Sequence, residues 1–462
     1  MNGLAKMPRV VVAATGSGVG KTTATVALIG ALRSRGLRVA VFKCGPDYLD
    51  PTYHGRAAGV QSHNLDGWMM GREAVLATFA RVSHDADIAV IEGMMGLFDS
   101  ATPTGDEGST AEIAKWLNAP VLLVADTSGM ARSIAAMASG YANFDRALNL
   151  AGLICNRVGS RGHLDMLREA SGEVRVVGGL PGNAELAFPE RHLGLRSADE
   201  DAVPQRLFDA WGKLAREWLD LDAILSIAHE APELEVPHIA DANLNGRQLC
   251  RIGLAWDDAF HFYYEDNLRR LEESGAEIVR FSPSRDEQLP EVDGLYFGGG
   301  YPELLARELS DNHRMIDAVR EFSESNRPIY AECGGLMYLA EGIRTLDGSM
   351  WPMAGLIPGV AVMSPRLQAL GYVEVETRAP SILGPAGTRF RGHQFRYSIL
   401  DQDGAEVLSH LYTVRPKWGP EFEEGYARED LVASYVHAHW ASNPQIAEAF
   451  VRACANIRAR RF

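Results

Sequence analysis

The sequence predicts an α/β protein of two domains in tandem, and three observations point there. In the first half, short β-branched runs ("RVVVAAT", "LRVAVFK", "DIAVIEG", "APVLLVAD", "LAGLICNR", "VRVVGGLP") alternate with helical patterns. Near-continuous apolar strands separated by helices belong to a parallel sheet covered on both faces. Midway, "APELEVPHIADANLNGRQL" is rich in proline, acid and asparagine and has no clear periodicity, which marks a linker. Beyond it the same grammar restarts with "RIGLAWD", "AEIVRFS", "DGLYFGGG" and "RPIYAECGG", followed by antiparallel-looking strands such as "GYVEVET" and "TRFRGHQFRYS". The expected division is a first domain over 1–232, a linker over 233–247 and a second domain over 248–462.

Size and composition agree with this. A chain of 462 residues is too long for one core, since single cores stop growing near ~250 to 300 residues. A hydrophobic share of 46% with 23% charged residues is that of a soluble globular protein. The formal charge of -15 disfavours nucleic acid or an anionic membrane as main partner, although local loops can still hold a small anion. Five cysteines without a CxxC pair argue against a disulfide framework and a zinc site, and fit a reducing cytoplasm. The start "MNGLAKMPRVVVAATG" is expected to be neither a signal peptide nor a membrane span.

Along the chain, the first strand ends at Ala14 and leads through "TGSGVGKTT" into a helix-forming run. Consecutive backbone amides at a helix N-terminus cradle phosphate. Lys21 can reach the β- and γ-phosphates and the Thr22 hydroxyl can ligate magnesium. Thr15 stands where the strict pattern has its first glycine, but Gly16, Gly18 and Gly20 keep the loop permissive. The second strand ends in "FKCGPDYLDPTYH", placing Lys43, Asp47, Tyr48 and Asp50 on a turn-rich loop beside this site. The third ends in "IEGMMGLFD", adding Glu92 and Asp99. Carboxylates at neighbouring strand ends suit a magnesium ion bridging phosphate oxygens, or a substrate, while Asp47 as a turn cap and Glu92 as a solvated acid is the plainer alternative. Asn156, ending "GLICN", suits either reading of a base edge or a satisfied turn. In "PERHLGL", Glu190, Arg191 and His192 form either a carboxylate-binding cluster or a surface salt-bridge set.

In the second half, "RPIYAECGGLMYLAEGI" reads as strand, sharp turn and helix, with Cys333 exposed at the turn and its pKa lowered by the helix N-terminus. Ala331 replaces the first glycine of the usual elbow pattern and Gly335 keeps the second. Amides of Gly298, Gly299 and Gly300 can form an oxyanion hole, which stabilises the tetrahedral intermediate of acyl transfer. A thiol nucleophile needs a base, and "LVASYVHAHWASNP" offers His437 and His439 on one face of a strand.

From about residue 250 these residues resemble the class I, or triad, glutamine amidotransferases, which implies Cys333 as nucleophile, His437 as its base, and Gly299 and Gly300 at the oxyanion. Most members of that class carry a glutamate two residues after the histidine; here that place holds His439. The first half, with "TGSGVGKTT", "KCGPDYLDP" and "PERHLGL", is similar to the P-loop ATPase domain related to dethiobiotin synthetase. Joined in this order, the two resemble the a,c-diamide synthases of cobyrinic or hydrogenobyrinic acid over nearly the whole chain. That resemblance implies ATP bound at Gly16, Ser17, Gly18, Val19, Gly20, Lys21, Thr22 and Thr23 with Asn156 nearby. It places Thr22, Asp47 and Glu92 at magnesium, and Lys43, Asp47, Tyr48, Leu49 and His192 toward a corrinoid. The implied reaction amidates the a and c carboxylates through an acyl phosphate with ammonia drawn from L-glutamine, a homodimer being one expected assembly. The alternatives are the same chemistry on another tetrapyrrole, such as nickel-sirohydrochlorin, and a nucleotide-switched binding protein with an inert second domain.

Overall fold

The structure is a computed structural model that describes residues 3–182, 203–236, 248–403, 409–428 and 430–461. It divides into two compact units, residues 1–240 and 241–462. The cluster at Glu190, Arg191 and His192 lies outside the described residues.

The first unit is built on seven strands: Arg9–Ala14 (β1), Val39–Cys44 (β2), His63–Leu65 (β3), Ile88–Glu92 (β4), Val121–Asp126 (β5), Leu150–Val158 (β6) and Val176–Pro181 (β7). All neighbours run parallel, in the order β3-β2-β4-β1-β5-β6-β7. Val10 to Ala14 are completely buried, as a central strand covered on both faces requires. Helix Lys21–Ser34 (α1) turns Ala24 to Ile29 inward. Strand order reverses beside β1, and in such sheets ligands collect at the carboxyl ends of the strands at that crevice.

Two local differences from the sequence reading have simple causes. Leu234–Val236, inside the stretch read as linker, is a strand paired antiparallel with Gly3–Ala5, its Leu-Glu-Val alternating buried, exposed, buried. Asp50, expected on a loop, instead opens helix Asp50–Ala58 (α2), because Pro51 sets the first helical turn and Gly59, at φ 71°, closes the last.

The second unit holds a ten-stranded mixed sheet. Its strands are Cys250–Ala255 (β8), Ala276–Phe281 (β9), Gly294–Phe297 (β10), Ile329–Glu332 (β11), Ala369–Thr377 (β12), Arg389–Arg396 (β13), His410–Pro416 (β14), Phe422–Arg428 (β15), Leu431–Ser434 (β16) and His437–His439 (β17). The order is β9-β8-β10-β11-β16-β15-β14-β12-β13-β17, parallel as far as β16 and antiparallel from there on. Only two residues separate β16 from β17, yet β17 is the last strand in this order, so the sheet curls until β17 meets the carboxyl end of β11. A smaller four-stranded sheet, which includes Ala340–Arg344, packs beside helix Gly334–Leu339. Among the described residues no helix is long and apolar enough to cross a membrane.

Candidate active site

In the first unit the loop between β1 and α1 has the backbone its glycines allow. Gly18 and Gly20 have φ of 77° and 88°, a region that costs other residues steric strain. A side chain at Gly20 would also overlap the Asn156 amide, whose Nδ2 donates to the Val19 carbonyl at 2.8 Å. Asn156 therefore fastens the end of β6 to the loop. Lys21 donates to the Met95 carbonyl at 3.1 Å, and burial, with Lys43 nearby, lowers its ammonium to about 8.

Beneath this loop β2, β4 and α2 assemble a buried charge cluster. The Lys43 ammonium lies 2.6 Å from Asp50 Oδ2 and 3.0 Å from Glu92 Oε1 and donates to the Gly93 carbonyl at 3.0 Å. The Thr22 hydroxyl donates to Glu92 Oε1 at 2.8 Å and approaches Asp50 Oδ2 at 3.4 Å. His54 Nε2 meets Glu92 Oε2 at 2.5 Å. Burial would raise the Glu92 carboxyl, but Lys43 and His54 outweigh it and hold it well below the ordinary range. Burial would likewise lower the Lys43 ammonium, and Asp50, Glu92 and Asp47 reverse that. Lys43, expected to face substrate, thus has two carboxylates as its immediate partners. Asp47 Oδ1 accepts from the Leu49 and Asp50 amides at 2.8 and 3.0 Å, while its Oδ2 sits 3.9 Å from Lys43. Tyr48 is buried and Leu49 half-buried. Asp99 accepts from the Gly96 amide at 2.8 Å, a turn role.

The expected magnesium fits this donor set. Two carboxylates meet the Lys43 ammonium and the Thr22 hydroxyl donates to one of them, so three hard oxygens are gathered here, and magnesium takes one or two carboxylates together with phosphate oxygens. The sequence reading places Asp50 beside the site but gives it no role there, and does not place His54 there at all. Their signal was the spacing in "DPTYH": i and i+4 on a helix opened by Asp-Pro lie on one face.

In the second unit β11 runs into a turn at which Cys333 has φ 47° and ψ -100°. A non-glycine residue held there costs about 1–3 kcal/mol, a strain that persists only where the surroundings enforce it. Here the Cys333 amide is tied to the Ser434 carbonyl at 2.7 Å. Contrary to expectation the thiol is buried, not exposed, and its pKa is not lowered. Burial, reinforced by Glu303, pushes it to about 12, and the Gly334 amide and Arg396 pull down too weakly to compensate.

The remaining sequence-predicted groups come together around this turn. A side chain on Gly299 would overlap the His437 ring, and one on Gly334 would come within 3.1 Å of the Gly300 nitrogen. The glycine loop after β10 therefore lies between the Cys333 turn and His437. Gly298 already donates to the Tyr263 hydroxyl at 2.8 Å. His437 stacks on His393, its register partner on β13, with ring centroids 4.9 Å apart and planes 17° apart. Burial depresses His437 to about 3, which keeps the imidazole neutral. His439 is drawn elsewhere: its ring lies 4.5 Å from that of Tyr264, and burial, partly opposed by Asp266, lowers it to about 4.

Fold and site together define an α/β domain with a phosphate-type loop, and a second α/β domain in which a strained cysteine turn, a glycine loop and a buried histidine come together. Residues 10–195 match the CobQ/CobB/MinD/ParA nucleotide binding domain, and residues 251–445 match the CobB/CobQ-like glutamine amidotransferase domain. The chain is 54% identical to the cobyrinate a,c-diamide synthase of Leptospira interrogans serogroup Icterohaemorrhagiae serovar copenhageni, covering 97% of this chain and 99% of that one. The protein of the same name from Syntrophotalea carbinolica is 47% identical, over 97% of this chain and 98% of its own. That from Priestia megaterium is 41% identical, over 98% of each. The chain belongs to the cobyrinate a,c-diamide synthase family.

Proposed function

We propose that the chain couples ATP consumption in its first unit to glutamine hydrolysis in its second, and so converts the a and c carboxylates of a cobyrinate-type corrinoid to amides. The observation that carries this is the presence, in one family member, of a phosphate-type loop beside a Lys-Asp-Glu cluster and of a strained Cys333 turn and His437 on either side of one glycine loop. A carboxylate is a poor acyl donor, so each one is first phosphorylated. Lys21 and the amides of the 16–23 loop bind and orient the ATP phosphates for in-line transfer to the carboxylate oxygen. Thr22, Glu92 and Asp50, with Asp47 beside them, are the residues that would hold magnesium, which would supply charge neutralisation on those phosphates. Lys43 keeps both carboxylates ionised and in place, while Tyr48 and Leu49 shape the corrinoid side.

In the second unit His437 takes the thiol proton as Cys333 attacks the glutamine carboxamide carbon. Gly299 and Gly300 stabilise the oxyanion, and the proton passes to the departing ammonia as the tetrahedral intermediate collapses. Water then releases glutamate from the thioester. Ammonia attacks the acyl phosphate, giving the amide and inorganic phosphate. The compartment we propose is the reducing cytoplasm, supported by five buried cysteines that all stay free thiols.

The test is a mass assay with ATP, magnesium and glutamine, offering metal-free and cobalt-containing rings. The expected product carries two exchanges of hydroxyl for amine; rings returned unchanged by a chain that still hydrolyses glutamine would overturn the corrinoid assignment.

A further inference from the structure

The segment carrying His437 is a strand with one bare side. On one edge β17 pairs with β13, through Arg391 and His439, Gly392 and Ala438, His393 and His437. On the other edge it is met by two buried side chains. Glu332 Oε1 accepts from the Ala438 amide at 3.0 Å. Asn267, on helix Glu265–Glu273, donates through Nδ2 to the Ala438 carbonyl at 2.8 Å and accepts from the Trp440 amide at 2.8 Å. A carboxylate and an amide thus do here what a neighbouring strand does elsewhere.

Both groups are themselves held. Glu332 is 1% exposed, and it also accepts from the Tyr330 hydroxyl at 2.7 Å and the Tyr296 hydroxyl at 3.1 Å. Asn267 is fully buried. Glu332 is also the residue immediately before Cys333. One rigid carboxylate is therefore bonded, on one side, to the backbone of the residue after His437 and covalently joined, on the other, to the nucleophile.

We infer that Glu332 and Asn267 are positioning residues, fixing the height of His437 against Cys333 through the Ala438 backbone while His393 fixes the ring plane. This rests on the reading of Cys333 and His437 as nucleophile and base. Displacing a reacting group by about 1 Å costs on the order of 100-fold in rate without a comparable change in ground-state binding. The expected signature is therefore a fall in kcat at constant KM.

The experiment measures glutamine hydrolysis by the full chain in the presence of ATP, magnesium and cobyrinic acid, with thermal melts on every variant. Unaltered protein hydrolyses glutamine and Cys333→Ser does not; a failure here overturns the thiol mechanism and not merely the clamp. Given that control, Glu332→Ala lowers kcat by about 100-fold with KM unchanged. Glu332→Gln, whose amide oxygen still accepts from Ala438, returns to within about tenfold of the parent. Asn267→Ala lowers kcat by about tenfold at constant KM and keeps the test open if Glu332→Ala fails to fold. An unchanged kcat in Asn267→Ala, a loss appearing in KM alone, or Glu332→Gln as impaired as Glu332→Ala would each overturn the inference.

Discussion

Lys43 shows how much one side chain can hold. The residue is 2% exposed and its ammonium compensates two buried carboxylates, one on β4 and one on α2. Removing one member of a buried ionic set leaves the others uncompensated and costs about 3–5 kcal/mol. Lys43→Met is expected to destabilise the first unit by that amount, read from urea unfolding, and a shift below about 1 kcal/mol would mean that solvent already screens the cluster. Cys333 makes the opposite case, a nucleophile stored in its unreactive form. With its thiol pushed to about 12 and His437 depressed to about 3, both groups are neutral in the free site. Only the thiolate alkylates. Raising pH therefore raises the reactive fraction, and the iodoacetamide rate at Cys333, followed by peptide mapping without glutamine, climbs about tenfold per pH step from 6 to 9 with no plateau. A plateau below pH 8 would instead indicate a thiolate-imidazolium pair already formed at rest.

At the scale of elements, the glycine loop after β10 depends on having no side chains where β17 crosses it. Gly299→Ala puts a methyl into the His437 ring. Glutamine-dependent turnover is expected to fall about 100-fold, while turnover supported by ammonium salts is kept, as the first unit is untouched; equal loss of both would mean the loop does more than admit the imidazole. What the sequence disclosed at this scale follows from local physics. Parallel strands announce themselves as apolar runs, and the phosphate loop and the Cys333 turn announce themselves by glycines placed next to a strand end. The pairing of Asp50 with Lys43 and the place of His54 were less legible because they depend on α2 bringing both side chains to the ends of β2 and β4, which a turn-rich sequence does not state. The Glu332 clamp was hidden further still. It joins residues 106 apart, across a sheet whose curl is set by long-range pairing, and a glutamate beside a cysteine gives no hint of its direction. The burial of Cys333 was missed for the same reason, since strand tips are exposed by default and only the packed loops around this one cover it.

For the molecule as a whole, the formal charge of -15 would repel a polycarboxylate ring, yet the loop amides and Lys21 act over a few ångströms where the distant field is screened. In the proposed mechanism the two chemistries fall to separate units and Cys333 acts in only one of them, so they should be separable by mutation. Cys333→Ser removes the proposed nucleophile toward glutamine, but leaves the loop, Lys43 and Glu92 proposed to prime the acceptor. The variant is expected to make no amide from glutamine and to make it from ammonium chloride. The nucleophile in that second case is free ammonia, whose fraction grows as pH rises while ammonium is inert. Product formation by Cys333→Ser should therefore increase with pH at constant total ammonium, whereas the glutamine-supported rate of the unaltered chain, which generates its ammonia as the neutral molecule, should not track that fraction. A Cys333→Ser chain that melts like the parent but makes no product from ammonium at any pH would show that the thiol site is needed to build the acceptor site, and the picture of two chemistries joined only by the ammonia that passes between them would have to be given up.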